Sequence, residues 1–351
     1  MYFGTCKFGL TLHSKWLKEI VDILVIAVFT YLTWTVNNAG KFGPVAASSA
    51  IGLIVGLLDE ERAVGIFTGT FAAMVSENNI WNSGWVVLLG ILTALIFKIC
   101  THFNFANGVG GRLGLMAQVG CSITLSLQYL KGITSSSTFF DPREYEVLSS
   151  SFLLLMIILT PVAAACTMYL RCNVPSICNP VTASSVIGLF GSAISFGLGG
   201  RHSVFAKDAS LAIYTGSFVG MSSSNRIPNY SGFLLVGFLA GSIHIGFLGI
   251  FTGGYGGKLG TIAFLSTLLF QVLLPVWPQH KWSLNNRTKE EGASVAPSSQ
   301  VGTIYSGVGS LLNYTLSPKT SSSMMSPEDS DDPDDEDGEF GYRYGQLFFK
   351  E

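Results

Sequence analysis

The apolar body of this chain is written twice. Pro44–Leu53 reads PVAASSAIGL and Pro180–Leu189 reads PVTASSVIGL, identical at eight of ten positions. Two further islands follow in the same order. Thr68–Ser76 (TGTFAAMVS) returns as Thr215–Ser223 (TGSFVGMSS), and Gly108–Gly114 (GVGGRLG) returns as Gly254–Gly260 (GYGGKLG). Between them, Ser83-Gly84-Trp85 answers Ser231-Gly232-Phe233. Matches in register mean duplication, and two pseudo-symmetric halves of a very apolar chain can enclose a path between them.

Composition decides the solvent. Of 351 residues 48% are hydrophobic, only 12% are charged and 40 are glycine, with a mean hydropathy of +0.46. Soluble domains carry about 25% charge, and most of the charge here sits at the two ends. The middle cannot supply a polar surface, so lipid is the expected surrounding. A net charge of −2 and the lack of a basic, aromatic-interleaved stripe give no reason to expect a nucleic-acid partner.

The apolar stretches fall into five per half. In the first half they run approximately Ile20–Val36, Val45–Leu58, Val64–Val75, Gly84–Ile99 and Leu113–Leu130. In the second they run Ser151–Leu170, Val181–Ile194, Ser210–Met221, Gly232–Phe251 and Leu259–Leu274. A straight span needs about 20 apolar residues, which the first and fourth segments of each half approach. The second and third are too short and rich in Gly, Ser and Thr. Whether a half crosses five times, or three times with a re-entrant hairpin, its count is odd and the second half enters from the opposite face. The expected fold is therefore an all-α polytopic membrane protein: ten transmembrane or half-membrane helices in two homologous five-segment repeats of inverted topology.

The domain plan follows: residues 1–19 a cytoplasmic N-terminus, 20–130 the first membrane repeat, 131–149 a connecting loop, 150–276 the second repeat and 277–351 a tail. Lys15, Lys18 and Glu19 precede the first segment with no small-residue cleavage site after it, so it reads as a membrane helix and not a removable leader. With the N-terminus inside, eight bases near span ends are cytoplasmic (Lys7, Lys15, Lys18, Arg62, Lys98, Arg112, Arg171, Arg226). Six are outside (Lys41, Lys131, Arg143, Arg201, Lys207, Lys258). The bias has the expected sign.

The tail is Ser-, Asn- and Asp-rich and ends in an acid run from Glu328 to Glu339, a composition too polar to bury a core, so it is expected to be disordered. An even number of crossings returns it to the cytosol. It carries Tyr344-Gly345-Gln346-Leu347, a tyrosine-x-x-hydrophobic pattern resembling sorting signals, with Tyr344 and Leu347 as the anchors. Ser326 and Ser330 are candidate phosphorylation sites. Expected partners are the bilayer, a small solute and a sorting adaptor or kinase on the tail. The expected location is the plasma membrane or an endosomal or vacuolar membrane.

In a two-fold repeat, matched short and broken hydrophobic segments point to the site. Pro44 and Pro180 suit a first helical turn, where the missing N–H is harmless. Ser48, Ser49, Ser184 and Ser185 then lie about one turn in, while Thr68, Thr70, Ser76, Thr215, Ser217 and Ser223 supply hydroxyls on the partner segment. Hydroxyls donate and accept, which suits a neutral polar solute. The competing reading is close helix packing through small residues.

The GxGG[R/K]LG element places Gly108, Gly110 and Gly111, and again Gly254, Gly256 and Gly257, where a hinge or tight turn is wanted. Arg112 and Lys258 occupy equivalent places on it, as cations at each mouth or as bases reaching the interface. Neither copy has the order of a phosphate-binding loop. Asp22, Asp59, Glu60 and Asp208 all avoid the middle of a predicted span, where a charge costs about 2.5–3.5 kcal/mol, which argues against a carboxylate proton relay. His244 is the titratable exception, either packed or a gate.

Cys6, Cys100, Cys121, Cys166, Cys172 and Cys178 have neither redox nor zinc spacing, and the five histidines form no metal or triad motif. No catalysis, metal or cofactor is expected. The layout of two five-helix halves, with short polar segments before a long fourth helix, is similar to that of urea transporters and less closely to ammonium channels. The proline-rich filter of urea transporters is missing at Gly108–Gly114 and Gly254–Gly260, so the resemblance is one of layout. It implies a channel or facilitative transporter for a small polar, neutral solute. An anion transporter using paired helix N-termini, and a multi-pass scaffold acting through its tail, are the alternatives.

Overall fold

The computed structural model describes residues 7–80, 82–133, 140, 150–174, 179–197, 204–252 and 254–273. They form ten helices: α1 (Lys7–Asn38), α2 (Pro44–Leu58), α3 (Glu60–Ala72), α4 (Ser83–His102), α5 (Arg112–Leu130), α6 (Ser150–Asn173), α7 (Pro180–Gly197), α8 (Val204–Gly220), α9 (Tyr230–Gly246) and α10 (Lys258–Leu273). Among the described residues there is no strand, only an isolated bridge between Phe140 and Ile250. The helices belong to one compact unit, Met1–Thr288. The remainder, Lys289–Glu351, lies outside the described residues together with Tyr344 and Leu347, as does most of the connecting loop.

Local chemistry explains where the helices begin. Pro44 takes the first turn of α2 after Gly43 at φ 87°. Asp59 caps α3 by accepting from the Arg62 N–H at 3.1 Å. Asn82 caps α4 through the Gly84 N–H at 2.8 Å, and Asn229 caps α9 through the Gly232 N–H at 2.7 Å. These polar side chains satisfy N–H groups that a helix start leaves bare.

Five helices are long and apolar enough to cross a membrane: Trp16–Asn38, Ser83–His102, Arg112–Leu130, Phe152–Asn173 and Pro180–Gly197. Two lengths differ from the sequence expectation. The seventh segment is not short, because the helix runs on through Ser195 and Phe196 to Gly197 and reaches 18 residues. The ninth is shorter than its apolar run, at 17 residues, because α9 stops at Gly246 and the chain turns through Phe247. Phe251, inside that run, has φ 55° and cannot be helical.

Polarity is arranged inside out. Leu24, Val28, Leu154, Ile158, Leu234 and Phe238 are exposed, while Thr30, Ser48, Thr70, Ser184, Ser217 and Thr267 are fully buried. That distribution is compatible with a lipid surrounding, where the outer face is apolar and hydroxyls bond across helix contacts.

Named contacts fix what lies at each end. At one end Asp22 of α1 meets Arg62 at 2.9 Å and Lys98 at 2.7 Å. Lys98 also reaches Glu19 at 2.7 Å. Asn179, before α7, donates to Glu60 at 3.4 Å. The Arg226 guanidinium donates to the Asn107 carbonyl, and Arg171 to those of Gly220 and Ser222. At the other end Asn38 donates to the Val75 carbonyl at 3.2 Å and Asn79 to that of Thr252 at 3.3 Å.

Between the ends, α1 packs on α4, α6 on α9, α2 on α7 and α5 on α10. Glycine allows the closest of these approaches. A Cβ on Gly114 of α5 would lie 2.4 Å from the Gly260 Cα of α10, and one on Gly260 would lie 2.6 Å from the Gly114 Cα. α6 carries Pro161 in its interior, and Gly237 of α9 lies against it, with a Cβ there 2.5 Å from the Pro161 Cα.

Gly114→Ala adds about 0.5–1 kcal/mol of helix propensity but pushes two backbones apart, at about 1–3 kcal/mol for overpacking. The clash wins, so thermal unfolding in detergent should show a lower Tm. Gly197→Ala, which meets nothing within 4 Å, should not lower Tm.

Candidate functional site

The matched hydroxyls come together in two sets. Ser48 Oγ of α2 lies 2.8 Å from Thr70 Oγ1 of α3, and Ser184 Oγ of α7 lies 2.9 Å from Ser217 Oγ of α8. These are equivalent positions of the duplicated sequence, and all four are fully buried. Asn179 supports the second set by accepting from the Val181 N–H at 2.9 Å, which caps the start of α7.

Ser49 and Ser185 sit at the crossing of α2 with α7. A Cβ on Gly188 would come within 2.1 Å of Ser49 Oγ, and one on Gly52 within 2.5 Å of Ser185 Oγ. Each serine therefore lies over a glycine of the facing helix. The other hydroxyls are placed differently. Thr68 and Thr215 donate to the carbonyls of Val64 and Leu211, at 2.9 and 2.8 Å, so they serve their own helices first. Ser76 and Ser223 are only half-buried and act through the backbone: their N–H groups donate to the carbonyls of Gly254 (3.0 Å) and Gly108 (2.9 Å).

Those bonds show what the two glycine turns do. Gly108, Gly111, Gly254 and Gly257 have φ between 75° and 83°, a range that favours glycine. Gly110 and Gly256 are needed for approach. A Cβ on Gly110 would stand 2.5 Å from the Phe218 carbonyl oxygen, and one on Gly256 2.3 Å from that of Ala72. The turn before α5 thus seats on the end of α8, and the turn before α10 on the end of α3. The Gly110 N–H adds a bond to Ser222 Oγ at 3.0 Å.

Arg112 donates to the Phe105 carbonyl at 3.0 Å and to the Asn107 side chain. Lys258 donates to the Leu248 carbonyl at 3.2 Å. Each cation ties down the loop before its own helix. His244 is buried, with Nδ1 3.4 Å from Thr215 Oγ1 and its ring edge-on to Phe152 at 6.2 Å. It lies where α8 meets α9, against Thr215 and not against either hydroxyl set.

Sequence reasoning did not single out the aromatics between the hydroxyl sets. Phe67 and Phe71 of α3 are 4.3 Å apart by ring centroid, Phe71 and Phe218 are 4.6 Å, and Tyr214 and Phe218 of α8 are 4.3 Å. All four are fully buried and packed in contact. The Tyr214 hydroxyl lies 2.9 Å from Ser48 Oγ. The available signal was the repeat itself: Phe71 aligns with Phe218 and Phe67 with Tyr214, at the same steps beside Thr68 and Thr215. A water-sized cavity of about 10 Å³ lies beside Phe71, Met74, Phe218 and Tyr255.

Set against family profiles, curated proteins and solved structures, the chain gives no significant match to any of them.

Ser48 has two hydroxyl partners and Ser184 has one. Each buried hydrogen bond is worth about 0.5–1.5 kcal/mol net, with more lost when the partner stays unsatisfied. Ser48→Ala should therefore lower unfolding stability by about 1–3 kcal/mol and Ser184→Ala by about half as much, measured as paired thermal or denaturant transitions in one detergent.

Proposed function

We propose that this chain is a channel or facilitative transporter that passes a small polar, neutral solute between two five-helix halves of opposite orientation. The observation that carries the reading is the pair of buried hydroxyl sets, Ser48–Thr70 and Ser184–Ser217, at equivalent places on either side of the α2–α7 contact. A dry hydroxyl pair offers donors and acceptors without charge, which a neutral solute can exchange for its hydration.

The end contacts support the inverted arrangement. Lys18 and Asp22 of α1 share an end with Arg171 of α6, reached through Lys98, Asn107 and Arg226. α1 therefore begins where α6 finishes. The same tracing starts α7 beside Glu60, where α2 ends. On this reading Arg112 and Lys258 face opposite sides, and both termini are cytoplasmic. The protein works at the plasma membrane or an endosomal or vacuolar membrane, with sorting adaptors and kinases acting on the tail.

The anion reading is the weaker one, because both cations are engaged by loop carbonyls instead of facing the hydroxyl sets. The aromatic contacts close the space between α3 and α8, so passage requires those two helices to part.

In proteoliposomes, uptake of neutral solutes such as urea or glycerol should fall at least tenfold with either Ser48→Leu or Ser184→Leu. Normal rates in both variants would remove the site. Independently, cysteines placed by Arg112→Cys and Lys258→Cys should react with an impermeant reagent from opposite faces. Labelling of both from one face would overturn the inverted arrangement.

A further inference from the structure

α6 and α7 each lie against α8 and touch one another only lightly. Between them is a groove of about 570 Å³, within the ~300–1,000 Å³ range of small-molecule sites. Cys166 and Tyr169 of α6 form one wall, Val186, Ile187 and Phe190 of α7 the other, and Tyr230 closes an end. Tyr169 and Phe190 are exposed, so the groove opens to whatever surrounds the bundle.

Its polar and apolar parts are layered. Tyr230 is the first residue of α9, at the end of the bundle that holds Arg171 and Arg226. α7 starts at that same end, and Val186 and Phe190 lie about 9 and 15 Å along it from Pro180. A tyrosine at the rim above branched and aromatic side chains suits an amphiphile with a small head. The rim also offers a neutral group. The Tyr230 phenol accepts from the Asn173 amide at 3.4 Å and has its own O–H to donate. Neither nearby guanidinium lines the groove: Arg171 reaches the carbonyls of Gly220 and Ser222, and Arg226 that of Asn107.

The walls are short and stiff. The lining positions occupy a single turn of α6 and of α7, about 6 Å of axis. One leaflet of hydrocarbon is about 15 Å deep, so an extended acyl chain would leave most of its length outside. A flexible chain also loses more freedom on being held than a rigid body does.

We propose that this groove binds a sterol, with its hydroxyl at Tyr230 and its ring system between Tyr169 and Phe190. The inference rests on a lipid surrounding and not on transport. A sterol brings one hydroxyl for the phenol, no charge, and a planar apolar body for aromatic and branched walls to cover. Once bound it bridges α6 and α7 where they scarcely meet, and so stabilises the folded bundle by linkage.

The test uses full-length protein in phosphatidylcholine nanodiscs containing a photoreactive cholesterol, with the labelled residues mapped by mass spectrometry. Labelling should saturate, fall within 165–170 and 186–190, and drop at least tenfold under excess plain cholesterol. Cys166→Trp, at an exposed position on the groove wall, should cut labelling at least fivefold. Val28→Trp, on the exposed face of α1, should not. Tyr230→Phe should raise the half-saturating concentration about three- to tenfold, the effect of losing one hydrogen bond. If Cys166→Trp does not fold, the wild-type map and Tyr230→Phe decide. Labelling spread evenly over α1, α4 and α6 overturns the proposal, as does an unchanged half-saturation in Tyr230→Phe. Competition by phosphatidylserine but not by cholesterol overturns it in favour of a phospholipid. No readout involves solute flux, so the sterol site and the transport reading stand or fall separately.

Discussion

The fold depends on backbone groups of one half being satisfied by backbone groups of the other. The Ser76 N–H is answered by the Gly254 carbonyl, and the Ser223 N–H by that of Gly108. A backbone N–H or carbonyl turned away from water needs a partner, and each of these irregular turns finds one of fixed position in the other half. The glycine turns are that partner, and they can serve only because Gly110 and Gly256 carry no Cβ to hold them off. Neither turn is complete alone, which ties the folding of each half to the presence of the other.

Within that frame the interior divides labour by residue type. Hydroxyls close local bonds where α2 meets α3 and α7 meets α8, and four rings fill the space between α3 and α8. At one end Asp22 lies between Arg62 and Lys98. A carboxylate held by two cations is more firmly placed than a simple surface pair, which is worth about 0–1 kcal/mol. Here it pins α1, α3 and α4 together at a single level.

Much of this was legible before any coordinates. The repeat announced which segments would correspond, and the proline and glycine positions marked helix starts and turns because backbone geometry admits few other residues there. Helix lengths were harder. Hydropathy ran on past Gly246 although Phe251 turns the chain, and it stopped short of Gly197 although nothing there breaks the helix. The hydroxyls were found because serine and threonine are conspicuous in an apolar run. Phe67, Phe71, Tyr214 and Phe218 were missed for the converse reason, since aromatics in such a run look like ordinary filling until their mutual distances are known. Asn82 and Asn229, which cap the corresponding helices α4 and α9 one residue out of register, were also missed, their signal diluted by flanking loops.

Pro161 distinguishes the two long outer helices. α6 lacks one rung of its ladder, because proline has no N–H to offer the carbonyl of Ile157. Gly237 and Gly241 of α9 rest on that same stretch, the latter with a would-be Cβ 2.3 Å from the Met156 oxygen. α1, packed on α4 in the same way, has no proline. A helix bends most readily where a rung is gone, and α9 presents only smooth backbone to it there. Of the two helix pairs, α6 on α9 is therefore the one with a ready place to bend, and α1 on α4 the stiffer.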